Sequence, residues 1–110
     1  MKHDDNGGSG LTTVIGRVGS ALSRQARNRW QGVRTADRNE GGRHVWRFST
    51  ADNSERYLHI SKQAMNEGED PVGRLLGQLA KEKWLDRMED GPEKAFILSP
   101  AGRLRSFPRN

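Results

Sequence analysis

Cysteine is absent from this 110-residue chain, which excludes disulfide bonds and thiolate sites for zinc or iron-sulfur clusters. No apolar run approaches the roughly eighteen residues that a membrane-spanning helix needs. The first residues also lack the order of charged, apolar and small residues that marks a signal peptide. We therefore expect a cytoplasmic protein that makes no membrane contact and that is stabilised by side-chain packing alone.

Motifs for catalysis and metal binding are missing as well. The three histidines, His3, His44 and His59, lie in separate sequence contexts with no acid at metal-ligand spacing. No glycine-rich phosphate loop and no Gly-x-Ser-x-Gly nucleophile motif occurs. We predict no enzymatic activity, no metal site and no cofactor.

Acidic residues are scarce in the first half of the chain. Residues 1–43 contain eight Lys or Arg against four acids, and no acid lies between Leu11 and Thr35. Residues 44–110 are nearly balanced, with eleven cations and ten acids. Since the net charge is +5, the positive excess of the first half favours nucleic acid, anionic lipid or an acidic protein surface as the partner.

A basic amphipathic helix is predicted over residues 11–34. Residues 1–10 carry three glycines and no large apolar residue after Met1, so we predict a disordered tail there. Arg17, Arg24 and Arg27 fall together on the side of the helix opposite its apolar stripe. The stripe itself recurs at helical spacing through Leu11, Val14, Ile15, Val18, Ala21, Leu22, Ala26 and Val33.

Residues 35–43 are polar and contain glycine, which predicts a linker. Alternating apolar residues then predict a β-hairpin formed by residues 44–50 and 56–60. Its core face is expected to carry Trp46, Phe48, Leu58 and Ile60.

Capping residues predict two helices after this hairpin. Ser61 can cap a short helix that ends near Asn66, and Asp70 followed by Pro71 opens a longer one that runs to about Lys83. Residues 84–88 and 95–98 are predicted to form a second hairpin around residues 90–93, and Ser99 with Pro100 a short C-terminal helix. The buried stripe of the longer helix is predicted as Val72, Leu75, Leu76 and Leu79.

The order of strand, short helix, longer helix and hairpin resembles the winged helix-turn-helix superfamily. Leu98-Ser99-Pro100-Ala101-Gly102-Arg103 is similar to the exit from the wing in bacterial winged-helix regulators. Residues 57–61 are similar to the strand that precedes the second helix of that superfamily. The order is also loosely similar to the C-terminal domain of some conjugative relaxases. The resemblance implies an α+β fold, with a winged-helix domain over residues 44–107 preceded by the basic helix and including the additional hairpin.

The resemblance further implies that the longer helix inserts into the major groove of double-stranded DNA. On its outward side that helix carries Arg74, Gln78 and Lys81, side chains suited to base edges and phosphates. Arg17, Arg24 and Arg27 can add phosphate contacts from the first helix. We therefore predict a DNA-binding module, acting as a small transcription regulator or as an accessory protein of a mobile element.

Other interpretations remain open from the sequence alone. Any surface helix has a polar outer side, and the acids Glu89, Asp90 and Glu93 at the predicted wing tip would repel phosphate. The alternative hypothesis is therefore a winged-helix protein-interaction module without DNA binding, with an adaptor or homodimerisation role. Stacking of Trp46, Phe48 and Trp84 on single-stranded bases is a further possibility, although these residues fit a core better.

Overall fold

A computed structural model describes residues 6–91 and 94–108, with side chains from Gly10 onward. The chain forms an α+β fold in which four helices lie against one face of a five-stranded sheet. The elements, in chain order, are α1 (Asn6–Arg29), β1 (Arg34–Glu40), β2 (Arg43–Ser49), β3 (Glu55–Ser61), α2 (Lys62–Met65), α3 (Pro71–Lys81), α4 (Trp84–Asp90), β4 (Lys94–Leu98) and β5 (Leu104–Pro108).

The strands of the sheet lie in their chain order, from β1 at one edge to β5 at the other. Neighbouring strands are antiparallel except β3 and β4, which are parallel. A parallel pair needs a long crossover connection, and helices α2, α3 and α4 supply it. All of these helices pack on the side of the sheet that we call the inner face; the opposite side is the outer face.

One hydrophobic core lies between the helices and the inner face. Trp46, Phe48, Leu58 and Ile60 are at most 1% exposed, which confirms the predicted core face of the β2–β3 hairpin. From α1 the core takes Val18, Leu22 and Ala26, and from α3 it takes Val72, Leu75 and Leu79. The predicted stripe of α3 is confirmed, with Leu76 half-buried at the edge. That of α1 is confirmed for its middle part, while Leu11, Val14 and Ile15 are half-buried against the core.

The two capping motifs form as the sequence predicts. The Ser61 hydroxyl accepts a hydrogen bond from the Ala64 amide at 3.0 Å and begins α2, which ends before Asn66. The Asp70 carboxylate accepts one from the Gly73 amide at 3.1 Å, with Pro71 in the first turn of α3. Each side chain satisfies an amide that would otherwise lack a partner at a helix start.

The boundaries of the first helix differ from the prediction. Residues 6–10, predicted as part of a disordered tail, are helical, and residues 1–5 lie outside the described part of the chain. At its other end α1 stops at Arg29 rather than near residue 34, because Gly32 takes a positive φ of 78° in a tight turn. Val33, predicted to lie on the helix, reaches the core from this turn.

The predicted linker over residues 35–43 is wrong, because most of it is strand β1. This strand is at the edge of the sheet and is largely exposed, so its residues are polar and show no apolar alternation. Its backbone pairs with β2 along seven residue positions, from Arg34 opposite Ser49 to Glu40 opposite Arg43.

The predicted strand at residues 84–88 is also wrong, since these residues belong to helix α4. Trp84 and Met88 are four positions apart and both are buried. Residues at this spacing share one face in a strand as well as in a helix, so a segment of five residues fits both patterns. Lys83 takes a left-handed conformation, φ 55°, and separates α4 from α3.

The antiparallel partner of β4 is β5, not residues 84–88. The predicted C-terminal helix is absent from the described residues. Ser99 and Pro100 belong to a turn closed by a 2.9 Å hydrogen bond from the Gly102 amide to the Ser99 carbonyl. Gly102 has a φ of 87°, which a residue with a side chain rarely adopts, so this segment turns back instead of continuing as a helix.

The turn between β2 and β3 holds an acid with a strongly lowered pKa. The Thr50 hydroxyl donates a 2.5 Å hydrogen bond to the Asp52 carboxylate, and the Ser54 amide donates another at 3.1 Å. The first of these, helped by the second, lowers the pKa of Asp52 to about 2. At pH values above the ordinary aspartate pKa, these hydrogen bonds stabilise the folded state. The contribution is lost as the pH falls through about 2.

We expect the Asp52 side-chain carboxyl to titrate at about 2 in a ¹³C NMR measurement. Thr50→Val removes the main donor and should raise that pKa toward the ordinary value of about 4. Thr50→Ser keeps a hydroxyl and should leave it low. A wild-type pKa near 4, or equal values in the two variants, would show that the turn does not hold the carboxylate in this way.

Candidate nucleic-acid interface

The exposed side of α1 carries a row of three arginines. Arg17, Arg24 and Arg27 are all exposed, as the helical spacing of the sequence predicts. Because the opposite side of α1 is buried in the core, its axis cannot rotate and the row is held facing solvent. We call these three residues the α1 arginine row.

Two shallow grooves flank this exposed side of α1. One, about 590 Å³, lies between α1 and α3, where Arg17 and Arg24 face Val72 and Leu76. The other, about 470 Å³, lies between α1 and the β1–β2 edge of the sheet, and Arg24 and Arg27 line it. Arg24 borders both grooves, so the helix forms a basic ridge between them.

Glycine permits the close approach of α1 to the sheet. A Cβ atom on Gly19 would lie 2.9 Å from Nε1 of Trp46, a distance that real Cβ contacts essentially never show. A side chain at this position would require Trp46 or α1 to shift. Gly16, on the exposed side, has open space around it instead.

The α1 arginine row has no acidic partner among the described residues, where no ion pair or side-chain hydrogen bond joins it to an acid. The acid lining the adjacent groove, Asp37, lies 2.5 Å from Nε2 of the buried His44. Positive charge on this helix is therefore left available for an anion from outside the molecule.

Arg29, on the same helix, shows the contrasting case. Its guanidinium pairs with Asp86 at 2.7 Å and with Glu89 at 2.6 Å, both on α4. The hydrogen bonds to these two carboxylates raise the pKa of Arg29. Arg29 thus fastens α1 to α4 and is not part of the free basic surface.

The predicted DNA-reading residues of α3 are in three different situations. Arg74 is half-buried and donates to the backbone carbonyls of Ala64 and, at 3.1 Å, Glu67. These bonds join α3 to α2 and to the segment between them. The guanidinium of Arg74 therefore acts inside the fold, at the helix-helix junction.

Gln78 is also half-buried, because the β4–β5 turn covers it. A Cβ atom on Gly102 would lie 2.7 Å from the Gln78 side-chain nitrogen, so this glycine packs directly against Gln78. Lys81, at the end of α3, is exposed. Of the three side chains on this helix that were predicted to contact DNA, Lys81 is the one in the exposed class.

Of the three acids predicted at the wing tip, Glu89 and Asp90 belong to α4 and Glu93 lies outside the described residues. Glu89 pairs with Arg29. The hairpin that follows the helices turns instead at residues 99–102, and the next residues include Arg103 and Arg105, both exposed.

Trp46, Phe48 and Trp84 are at most 2% exposed, which confirms that they belong to the core and cannot stack on bases. Within the described residues, the aromatic side chains with exposed surface are Trp30, Tyr57 and Phe107. Tyr57 and Phe107 were not predicted to be exposed aromatic residues. In β3, Tyr57 lies between Arg56 and Leu58, whose side chains are on the inner face. The alternation of side chains along a strand therefore predicts that Tyr57 is on the opposite face.

The described residues form neither a metal site nor a membrane-spanning helix. Over residues 6–91 and 94–108, no three His, Asp or Glu side chains are placed to hold a metal ion. None of the helices in these ranges combines the length and apolar character required to cross a membrane. Comparison of the chain with protein-family models, with curated proteins and with solved structures finds no match.

Proposed function

We propose that this protein is a double-stranded DNA-binding module of the winged-helix type, serving as a small regulator or as an accessory protein of a mobile element. The observation that carries the proposal is the α1 arginine row, which is exposed and has no acidic partner among the described residues. Lys81 of α3 adds a fourth exposed cation.

The length of the α1 arginine row suits a phosphate backbone. Arg17 and Arg27 are ten positions apart, and at a rise of 1.5 Å per residue they are separated by roughly 15 Å along the helix axis. One strand of B-DNA carries a phosphate about every 3.4 Å of duplex axis. Three flexible guanidinium groups over this length can each reach a phosphate, and the open space at Gly16 places no bulk beside Arg17.

The order and capping of α2 and α3 support the winged-helix part of the proposal. A short and a longer helix follow β3 and are joined by the Arg74 hydrogen bonds, and the β4–β5 hairpin follows them. This hairpin would serve as the wing, with the exposed Arg103 at its turn. Since Arg74 and Gln78 are engaged within the fold, we assign most of the affinity to phosphate contacts and little to base reading.

A protein-interaction role remains the second candidate, but its main support is weaker. That support was the acids predicted at the wing, Glu89, Asp90 and Glu93, whereas Glu89 lies in α4 and pairs with Arg29. An acidic protein surface on the α1 arginine row would be the form of this alternative that fits the observed charges.

The test is titration of the ¹⁵N-labelled protein with a 16-base-pair duplex at low salt, followed by NMR. We expect amide shifts to concentrate on the exposed side of α1 and around Lys81, and to disappear as salt is raised. Shifts confined to other surfaces, or no shifts at protein and duplex concentrations of about 0.1 mM, would reject DNA binding through this site.

A further inference from the structure

No helix of the described residues covers the outer face of the sheet. Tryptophan, leucine and phenylalanine side chains of the inner face meet the four helices, whereas no helix among the described residues packs on the other side. An uncovered sheet face normally carries polar residues in alternation. Here the outer face carries apolar and aromatic side chains at its centre and arginines around them.

Strand register places these residues in two rows that cross all five strands. Partners in a register share one face, so each row is read directly from the pairing of neighbouring strands. The first row is Ala36, Arg47, Tyr57, Ala95 and Phe107; the second is Arg38, Val45, His59, Ile97 and Arg105. With strands about 4.8 Å apart, each row is about 19 Å long.

The centre of this face offers rings with exposed surface. Tyr57 and Phe107 are half-buried, and the rings of His59 and Phe107 lie 5.4 Å apart between centroids in an edge-to-face arrangement. A depression of about 230 Å³ lies beside Tyr57 and is lined by Arg38, Arg47 and Val45 among others. Aromatic rings held by a rigid sheet are platforms on which nucleic-acid bases stack.

Arginines outnumber acids on the outer face. Glu40 pairs with Arg38, and Glu55 lies 3.9 Å from Arg47 and accepts a 2.8 Å hydrogen bond from the Tyr57 hydroxyl. The remaining arginines have no ion pair with a described acid. The five arginines against these two glutamates are Arg34, Arg38, Arg43, Arg47 and Arg105.

His59, at the centre of the outer face, has a lowered pKa. Burial, chiefly, and the nearby Arg43 and Arg38 lower the pKa of His59, while Glu40 acts in the opposite direction. His59 is 9% exposed, and its Nδ1 atom is buried without a hydrogen-bond partner among the described residues. The neutral ring thus adds apolar surface beside Phe107 and contributes no charge.

We propose that the outer face binds single-stranded nucleic acid, with bases stacked on Tyr57 and Phe107 and phosphates held by Arg38, Arg47 and Arg105. This surface is separate from the α1 arginine row, since α1 packs on the inner face. Aromatic rings interleaved with arginines fit an unpaired strand, whose bases are free to stack, better than a duplex, whose bases are not.

The test uses fluorescence anisotropy with labelled twelve-nucleotide oligo(dT) and oligo(rU). The double variant Tyr57→Ala/Phe107→Ala should bind the preferred oligomer at least about tenfold more weakly, because each lost stack weakens binding severalfold. Its matched control, Tyr57→Phe/Phe107→Tyr, keeps both rings and should bind within about twofold of wild type. Whichever oligomer binds more tightly shows whether the natural strand is DNA or RNA.

Charge variants keep the test decisive if the double alanine variant unfolds. Arg38→Glu/Arg47→Glu/Arg105→Glu changes exposed side chains only and should abolish single-strand binding, while Arg17→Glu/Arg24→Glu/Arg27→Glu should retain most of it. Unfolding midpoints of all variants are measured alongside. No binding of either oligomer, or binding that follows the α1 arginine row instead of the outer face, would overturn the proposal without deciding the duplex-binding role of α1.

Discussion

Replacing Arg17, Arg24 and Arg27 together with glutamate is expected to lower the affinity for a DNA duplex by about 100-fold or more at 0.1 M salt. Each substitution removes a phosphate contact and adds a charge that repels the backbone, and three contacts act together. The side chains are exposed and unpaired with described acids, so folding should be unaffected. Anisotropy of a labelled 16-base-pair duplex measures the change.

The control for this variant is the outer-face variant Arg38→Glu/Arg47→Glu/Arg105→Glu. It changes the net charge by the same amount, so it separates a local contact from a general effect of charge. We expect its duplex affinity to fall much less than that of the α1 variant. Equal losses in the two variants would mean that duplex binding depends on total charge and not on the α1 arginine row.

The largest effect on stability is expected from Arg56→Ala. Arg56 is 7% exposed, donates a 3.0 Å hydrogen bond to the Met88 carbonyl and a 3.1 Å bond to the Thr50 hydroxyl, and lies 5.2 Å from the ring centroid of Trp30. Truncation removes two charge-assisted bonds and a cation–π contact and leaves a cavity. We expect a loss of about 2–4 kcal/mol in the free energy of unfolding.

Urea denaturation provides the measurement, with Arg47→Ala as the matched control. Arg47 is on the neighbouring strand but is exposed, and its contact with Glu55 is 3.9 Å long, so its removal should change stability by less than about 1 kcal/mol. Similar losses in the two variants would contradict the role of Arg56 as a buried link between β3, α4 and Trp30.

The elements that were predicted best from the sequence are those whose local sequence signals agree with their burial. The β2–β3 hairpin alternates apolar residues over a full strand length, and α2 and α3 each begin at a capping residue whose hydrogen bond forms. Such signals lie within a few residues and need no knowledge of the rest of the chain.

Elements defined by their neighbours were predicted poorly. Strand β1 is an exposed edge strand and carries no apolar pattern, so only its pairing with β2 identifies it. Residues 84–88 fit both a strand and a helix pattern. Helix α4 is held by ion pairs of Asp86 and Glu89 with Arg29, and Glu89 is sixty positions away from Arg29 in the chain.

The candidate sites show the same limit. The α1 arginine row follows from helical periodicity, and the structure places all three side chains on one exposed surface. The engagement of Arg74 by the carbonyl of Ala64 and the covering of Gln78 by Gly102 depend on tertiary contacts that spacing does not reveal. The outer face likewise emerges only when β1, β4 and β5 take their places in the sheet.

The salt dependence of duplex binding tests the role of the α1 arginine row most directly. Each phosphate contact contributes about −0.9 to the slope of log Kobs against log salt concentration. If the row binds phosphates, Arg17→Ala/Arg24→Ala/Arg27→Ala should have a slope shallower than wild type by about 2.7. Parallel slopes for the two proteins would contradict the assignment of phosphate binding to this helix.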